Sequence, residues 1–252
     1  MTRPFATLSA TAIVLAAGTA LAGAGETVTY RAGDLEMEGY FAKAEGEAKG
    51  AVMLIHDWDG LDDYEKKRAD MVAALGYDAF AVDLYGKGNR PETMEARQAE
   101  TKKLYGDRPL MRERLMAGMS QMSEMSGAGK AVVAGYCFGG AAALELARSG
   151  EAEAVAGYVS FHGGLDTPEG QSYPENTPPL LIAHGGADTS VTMAAVAGLS
   201  EELEAAKVPY EIEVYSGAPH AFTVFGSDRY REEADAKSWA SFETFLGERL
   251  AM

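Results

Sequence analysis

Cysteine is almost absent from this chain: 252 residues contain one, Cys137. A single thiol cannot close an internal disulfide, so a cross-linked scaffold is excluded. The thiol is either a small buried apolar group or a reactive one. Basic residues are also scarce, 22 Lys and Arg against 38 Asp and Glu, for a net charge of -16. Phosphate backbones are bound by basic stripes, so nucleic acid is not an expected partner. The four histidines fall in no H-x-H-x-D-H or H-E-x-x-H pattern. That weighs against a metallohydrolase built on His56, Asp57 and Asp59, and neither a metal nor a cofactor is expected. Beyond the N-terminal stretch there is no repeat, long linker or low-complexity block, so a single domain is expected over residues 26–252.

The first residues differ in kind from the rest. Met1-Thr2-Arg3-Pro4 is weakly positive, and Phe5 to Leu21 carries no charge. Ala20-Leu21-Ala22 and Ala22-Gly23-Ala24 are both A-x-A sites. The pattern reads as a signal peptide over residues 1–22, cleaved near Ala22 or Ala24, and implies a periplasmic or secreted protein. An uncleaved anchor or a mistaken start codon are the other readings. After cleavage no stable membrane anchoring is expected, and the mature protein is expected to be a monomer. Export leads to an oxidising compartment, where a retained lone thiol points to chemistry.

Thr27–Tyr30 and Leu35–Phe41 alternate around Gly33-Asp34 and predict an antiparallel hairpin. The continuous apolar run 51–55 predicts a strand covered on both faces, and strands are also expected at 79–82, 131–134, 155–161, 180–183 and 212–215. Asp62-x-x-Glu65 matches a capping box for a helix ending at Leu75-Gly76. Residues 91–125 predict helix with a break near Gly106-Asp107. Further helices are expected over 141–147, around Val196, Leu199 and Leu203, and along the stripe Trp239, Phe242, Leu246, Leu250. Alternating strands and helices imply an α/β fold: a doubly wound, mostly parallel sheet with helices on both faces. Its ligands bind beyond the carboxyl ends of the strands. His56, His162 and His184 each follow a predicted strand, and His220 lies in the loop after one.

Cys137 sits in Gly135-Tyr136-Cys137-Phe138-Gly139-Gly140, directly after an apolar strand. This is the G-x-nucleophile-x-G elbow with sulfur in place of the usual hydroxyl. Asp188, in His184-Gly185-Gly186-Ala187-Asp188, and His220, in Pro219-His220-Ala221-Phe222, follow in the order nucleophile, acid, base. An imidazole beside a thiol takes its proton, and a carboxylate orients the imidazole. The alternative is a structural elbow with an inert, buried Cys137.

His56-Asp57-Trp58-Asp59-Gly60-Leu61, Asp83-Leu84-Tyr85-Gly86-Lys87-Gly88, the cysteine elbow and Pro219-His220-Ala221-Phe222 together resemble the dienelactone hydrolase family, the carboxymethylenebutenolidase-like α/β-hydrolases. The resemblance runs from about Thr27 to Leu250. It implies an α/β-hydrolase fold and hydrolysis of a small carboxylic ester or lactone, with a small-molecule substrate as the partner. Cys137 would attack the carbonyl, His220 would shuttle the proton, Asp188 would orient His220, and a thioester would form. The backbone N–H groups of Phe138 and Trp58 would receive the oxyanion. The family usually carries Glu at the position of Asp57, where it contacts and helps activate the resting thiol. Asp is one methylene shorter, so that contact is expected to be lost or bridged by water. Lys87 and Val224 stand where dienelactone-cleaving members hold the substrate carboxylate with arginines. Val cannot replace a bidentate fork and Lys does so only partly, so a less charged substrate is expected.

Lys87, His162 and Phe222 are the remaining candidates for substrate contact, and the Trp58 ring could wall the pocket. His56 and His184 read as loop supports bonded to nearby backbone, and Asp83 as the cap of its turn. Met116, Met119, Met122 and Met125 recur every third residue and read as a core face or as an adaptable pocket lining. Thioesterase or peptidase activity on the same three residues, and a non-catalytic periplasmic binding protein, are the competing functions.

Overall fold

A computed structural model describes residues 25–251. The expected signal peptide and its cleavage sites lie outside the described residues. Strands β1 (Glu26–Ala32) and β2 (Leu35–Ala42) form the antiparallel hairpin. There follow β3 (Ala51–Ile55), α1 (Asp63–Ala74), β4 (Asp78–Val82), α2 (Met94–Gly106) and α3 (Arg108–Ser126). The chain continues through β5 (Ala131–Tyr136), α4 (Phe138–Ser149), β6 (Val155–Phe161), β7 (Leu180–Gly185), α5 (Met193–Ala206), β8 (Tyr210–Tyr215) and α6 (Glu232–Leu250). The eight strands form one sheet in the order β1-β2-β4-β3-β5-β6-β7-β8. β2 pairs antiparallel to β4, and every pairing from β4 to β8 is parallel.

The apolar runs are continuous because the sheet has a core on each face. Ala51, Met53 and Ile55 of β3 point to one cluster, with Leu115 and Met122 of α3, Leu144 of α4 and Leu199 of α5. Val52 and Leu54 point to the other, with Val72 of α1 and Phe242 and Leu246 of α6. A one-residue slip of β3 would exchange the two sets, so its register is strongly specified.

The expected boundaries are modified mainly at the ends. Asp62 caps α1: its side chain accepts from Tyr64 N–H, and Glu65 reaches back to the Asp62 N–H. Asp107 caps α3, which accounts for the break after Gly106. Helix α4 begins at Phe138, three residues earlier than expected, since the elbow passes straight into helix. Along α6, Phe242, Leu246 and Leu250 are buried, whereas Trp239 is only partly so.

Candidate active site

Because β3 and β5 to β8 are parallel, the loops after them meet at one edge of the sheet. Asp57 and Trp58 follow β3, Cys137 follows β5, His162 follows β6, Asp188 follows β7 and His220 follows β8.

The elbow has the tight geometry its glycines imply. Cys137 has φ 48° and ψ -107°, a conformation costly for a side chain with a Cβ. A Cβ on Gly135 would collide with the Gly139 carbonyl, and one on Gly139 with the Ile55 carbonyl. The Cys137 N–H donates to Phe161 O at 3.0 Å, tying the turn to β6.

Cys137 Sγ lies 3.0 Å from His220 Nε2, and His220 Nδ1 lies 2.7 Å from Asp188 Oδ2. Asp188 Oδ1 accepts the N–H groups of Ser190 and Val191 at 2.8 and 2.9 Å. Burial pushes the Asp188 carboxyl upward. The His220 hydrogen bond and these two N–H groups outweigh it and hold the group below the usual range. Burial pushes the Cys137 thiol well above its ordinary value, and the charge of Asp57 pushes it further, against the Phe138 N–H beside the sulfur. The resting thiol is therefore protonated.

The Asp57 carboxylate stands near the thiol, where its charge opposes ionisation of Cys137. Its Oδ1 also accepts the Trp58 N–H at 2.5 Å. One of the two expected oxyanion donors is thus engaged in this state. Burial raises the Asp57 carboxyl above its usual value. Buried Glu65 accepts the Asp57 N–H at 3.2 Å and the Asp62 N–H at 3.1 Å, so the cap of α1 also shapes this loop. Asp59 is pushed up to about 6 by burial, then by the charges of Asp57 and Asp62.

Three substrate-contact candidates are engaged by neighbours of their own. Lys87 is engaged by Glu36 at 2.5 Å on the outer surface of β2. Phe222 is fully buried in the core against Tyr215 and His162. His162 is buried under the loop that carries His220: it is 1% exposed, with Nε2 2.8 Å from Thr223 Oγ1. Each was read from its place in a motif, and motif position does not state which way a side chain turns.

His56 is a loop support as expected. Leu84 N–H donates to Nε2 at 3.1 Å, so the proton sits on Nδ1 and is donated to Asp57 O at 2.5 Å. With both ring nitrogens taken, His56 cannot ligate a metal. His184 lies within β7, where burial pushes its imidazole below the ordinary value. Asp83 caps its turn, accepting from Tyr85 and Gly86 N–H at 2.9 and 3.1 Å. Met116, Met119 and Met122 of α3 line a cavity of about 260 Å³ beside Ala51, Lys130 and Ala131, at the amino ends of β3 and β5, and Met125 packs against the core. That is the edge opposite Cys137, so they are a core face and not a wall of the site.

Two aromatic residues of the site escaped the sequence reading. Tyr85 donates to Trp58 O at 3.0 Å and packs edge-on against His56. Tyr105, 38% exposed, stands edge-on to Phe138 at 5.4 Å between ring centroids. Tyr85 stood inside a quoted motif, whereas Tyr105 lies on α2, where Leu104 is the only buried side chain and periodicity is uninformative.

The dienelactone hydrolase family model matches residues 37–250. A Bradyrhizobium protein named for 2-oxo-3-(5-oxofuran-2-ylidene)propanoate lactonase activity is 26% identical over 211 residues, 78% of this chain and 82% of that protein. A Methylorubrum extorquens protein named for carboxymethylenebutenolidase activity is 26% identical over 217 residues, 81% of this chain and 73% of that one. Among solved structures, a dienelactone hydrolase-like promiscuous phosphotriesterase from metagenomic libraries superposes with a TM-score of 0.80 at 27% identity, over 89% of this chain and 98% of that one. A Klebsiella pneumoniae dienelactone hydrolase-type structure, 20% identical with a TM-score of 0.75 over 89% and 98% of the two chains, shares the fold. With an eight-stranded α/β-hydrolase sheet and a family match over most of its length, the chain belongs to the dienelactone hydrolase family and is a hydrolase of carboxylic esters or lactones.

Proposed function

We propose that this hydrolase works by covalent catalysis through Cys137, His220 and Asp188. The observation that carries the reading is the hydrogen-bonded line from Cys137 Sγ through both nitrogens of His220 to Asp188. The thiol proton passes to His220 Nε2 as sulfur attacks the carbonyl carbon. His220 keeps its Nδ1 proton, donated to Asp188, which stabilises the imidazolium. The oxyanion is received by the Phe138 N–H and by the Trp58 N–H, once the Asp57 carboxylate has turned off the latter. His220 then protonates the leaving alkoxide, leaving a thioester on Cys137. Water, deprotonated by His220, attacks the thioester. Collapse of the second oxyanion releases the acid and returns the proton to sulfur.

The substrate is a small ester or lactone of low charge. Asp57, Asp59 and Asp62 crowd one side of the site, Lys87 is paired with Glu36, and Val224 has no charge to offer a carboxylate. The acyl donor is set by the pocket rather than by these three residues, so thioesters and amides belong in the substrate panel.

The test is intact-mass spectrometry during turnover of neutral esters, lactones, thioesters and a dienelactone dianion. An acyl adduct should appear on the wild type and not on Cys137→Ala, whose turnover should fall about a thousandfold or more. Undiminished hydrolysis by Cys137→Ala would overturn the covalent route. Ligand binding without any turnover would favour the binding-protein reading. Preference for the dianion would sink the low-charge substrate. We also propose export of the chain with loss of its N-terminal segment, so that mature protein from a secreting host begins near Gly23 or Gly25; a full-length mass would refute this.

A further inference from the structure

Residues 216–231, which carry His220, contain neither helix nor strand. They are held by backbone bonds, such as Ala187 N–H to Ala218 O at 2.9 Å, and by bonds from side chains of other elements. Arg68 of α1 supplies several, with its side chain 1% exposed. Its Nη2 donates to the Thr223 carbonyl at 2.9 Å and to Asp235 Oδ1 of α6 at 2.5 Å. The guanidinium also lies over the rings of Phe225 and Trp239, 4.2 and 5.1 Å from their centroids.

From Arg68 a second line of bonds leads toward the catalytic loop. Nε donates to Tyr64 Oη at 3.2 Å. Tyr64 Oη is 2.6 Å from Thr223 Oγ1, which is 2.8 Å from His162 Nε2. A guanidinium can only donate, so Tyr64 Oη accepts from Arg68. Donation continuing in the same sense runs from Tyr64 to Thr223 and from Thr223 into the lone pair of His162 Nε2. His162 then carries its proton on Nδ1, which has no partner among the described residues. The His162 ring meets the His220 ring edge to face, with centroids 5.4 Å apart and planes at 69°. Its backbone is in the left-handed region, at φ 42°, so the site holds a costly conformation.

We propose that Arg68, Tyr64, Thr223 and His162 form a positioning unit for His220, in which donation from Thr223 keeps the His162 ring neutral while His220 becomes a cation. The proposal rests on the reading of His220 as the proton shuttle. None of the four needs to touch substrate. Thr223 Oγ1 occupies the lone pair that a second proton on His162 would require. The charged and titratable groups facing His162 are His220 after β8, Asp188 after β7 and Arg68 on α1. Burial, then the His220 charge, holds its imidazole well below the ordinary value. A charged His162 would oppose the imidazolium that forms 5.4 Å away.

The test reads the Cys137–His220 pair without a substrate, through the rate of Cys137 alkylation by iodoacetamide against pH. Thr223→Val keeps the volume and removes the hydroxyl. Alkylation near neutral pH and kcat on a neutral ester should both fall about tenfold, the scale of leaving a buried polar group without its partner. KM should stay within about twofold, since no group at the substrate is altered. Thr223→Ser should restore both rates. An alkylation curve of Thr223→Val that superimposes on the wild type would overturn the proposal, as would a Thr223→Ser variant no better than Thr223→Val. Nitrogen-15 spectra of the wild-type imidazoles provide a check needing no variant: His162 should show a protonated Nδ1 and a bare Nε2, and the opposite tautomer would overturn it. His220→Ala separates the two layers. If it leaves the wild-type alkylation curve unchanged, the proton-shuttle reading itself fails; if it changes the curve and Thr223→Val does not, only the positioning unit fails.

Discussion

Asp57 Oδ1 accepts the backbone N–H of Trp58 at 2.5 Å, while the charge of the same carboxyl group raises the pKa of the Cys137 thiol. One buried side chain thus acts on both the proposed nucleophile and a donor of the expected oxyanion site. Its negative charge disfavours the thiolate, and its acceptor oxygen competes with a developing oxyanion.

Removing that charge should make the resting thiol more reactive. In Asp57→Asn the thiol loses an anion that raises its pKa, so the thiolate fraction at neutral pH rises, about tenfold for each unit by which the pKa falls. Faster iodoacetamide alkylation at pH 7 is the expected outcome, and an unchanged or slower rate would count against the role given to Asp57.

His56 is buried and neutral, its pKa lowered to about 4 by burial. A histidine depressed in the folded state contributes stability that is fully present above its unfolded value of about 6.5 and is lost as pH falls through the folded value. Between about pH 6.5 and 4 this contribution should fall by on the order of 3 kcal/mol. The His56 ring signal should titrate near pH 4 in an NMR series. The stability difference between wild type and His56→Gln should shrink over the same window.

Arg68 and Asp235 form a buried pair at 2.5 Å, with side chains 1% and 8% exposed. Arg68→Met leaves Asp235 buried without its cation and should cost about 3–5 kcal/mol in urea unfolding. The double variant Arg68→Met, Asp235→Leu should recover much of that loss. Equal losses in single and double variants would mean that packing, not charge, dominates.

Gly139 and Gly198 offer a paired test of the elbow. A Cβ on Gly139 would collide with the Ile55 carbonyl, whereas one on Gly198 in α5 would meet nothing within 4 Å. Gly139→Ala should abolish soluble folded protein or lower its stability by about 3 kcal/mol or more. Gly198→Ala should be neutral or raise stability by about 0.5–1 kcal/mol. Thermal melts of the two variants would separate a packing demand from a general intolerance of alanine.

Much of the fold is legible because its signals are local. The run 51–55 is apolar at every position since both sheet faces are covered, and Asp62 with Glu65 marks a helix start that the backbone bonds reproduce. The elbow can be read from Gly135 and Gly139, whose neighbours leave no room for a Cβ. Residue order then brings Cys137, Asp188 and His220 to one edge, because parallel strands send their following loops the same way.

The orientation of side chains is set by contacts distant in sequence. Lys87 turns to Glu36, 51 residues away, Phe222 turns into the core, and His162 bonds Thr223 across 61 residues. Asp57 sits in a loop tied to α1 by the bond from its N–H to Glu65. The sequence alone determined the strand and helix alternation, the elbow and the family, since periodicity, caps and glycine spacing act over a few residues. Only the tertiary structure decided which polar groups face the thiol and which brace the loop behind it, since those depend on where the burial of other segments leaves a partner for each hydrogen bond.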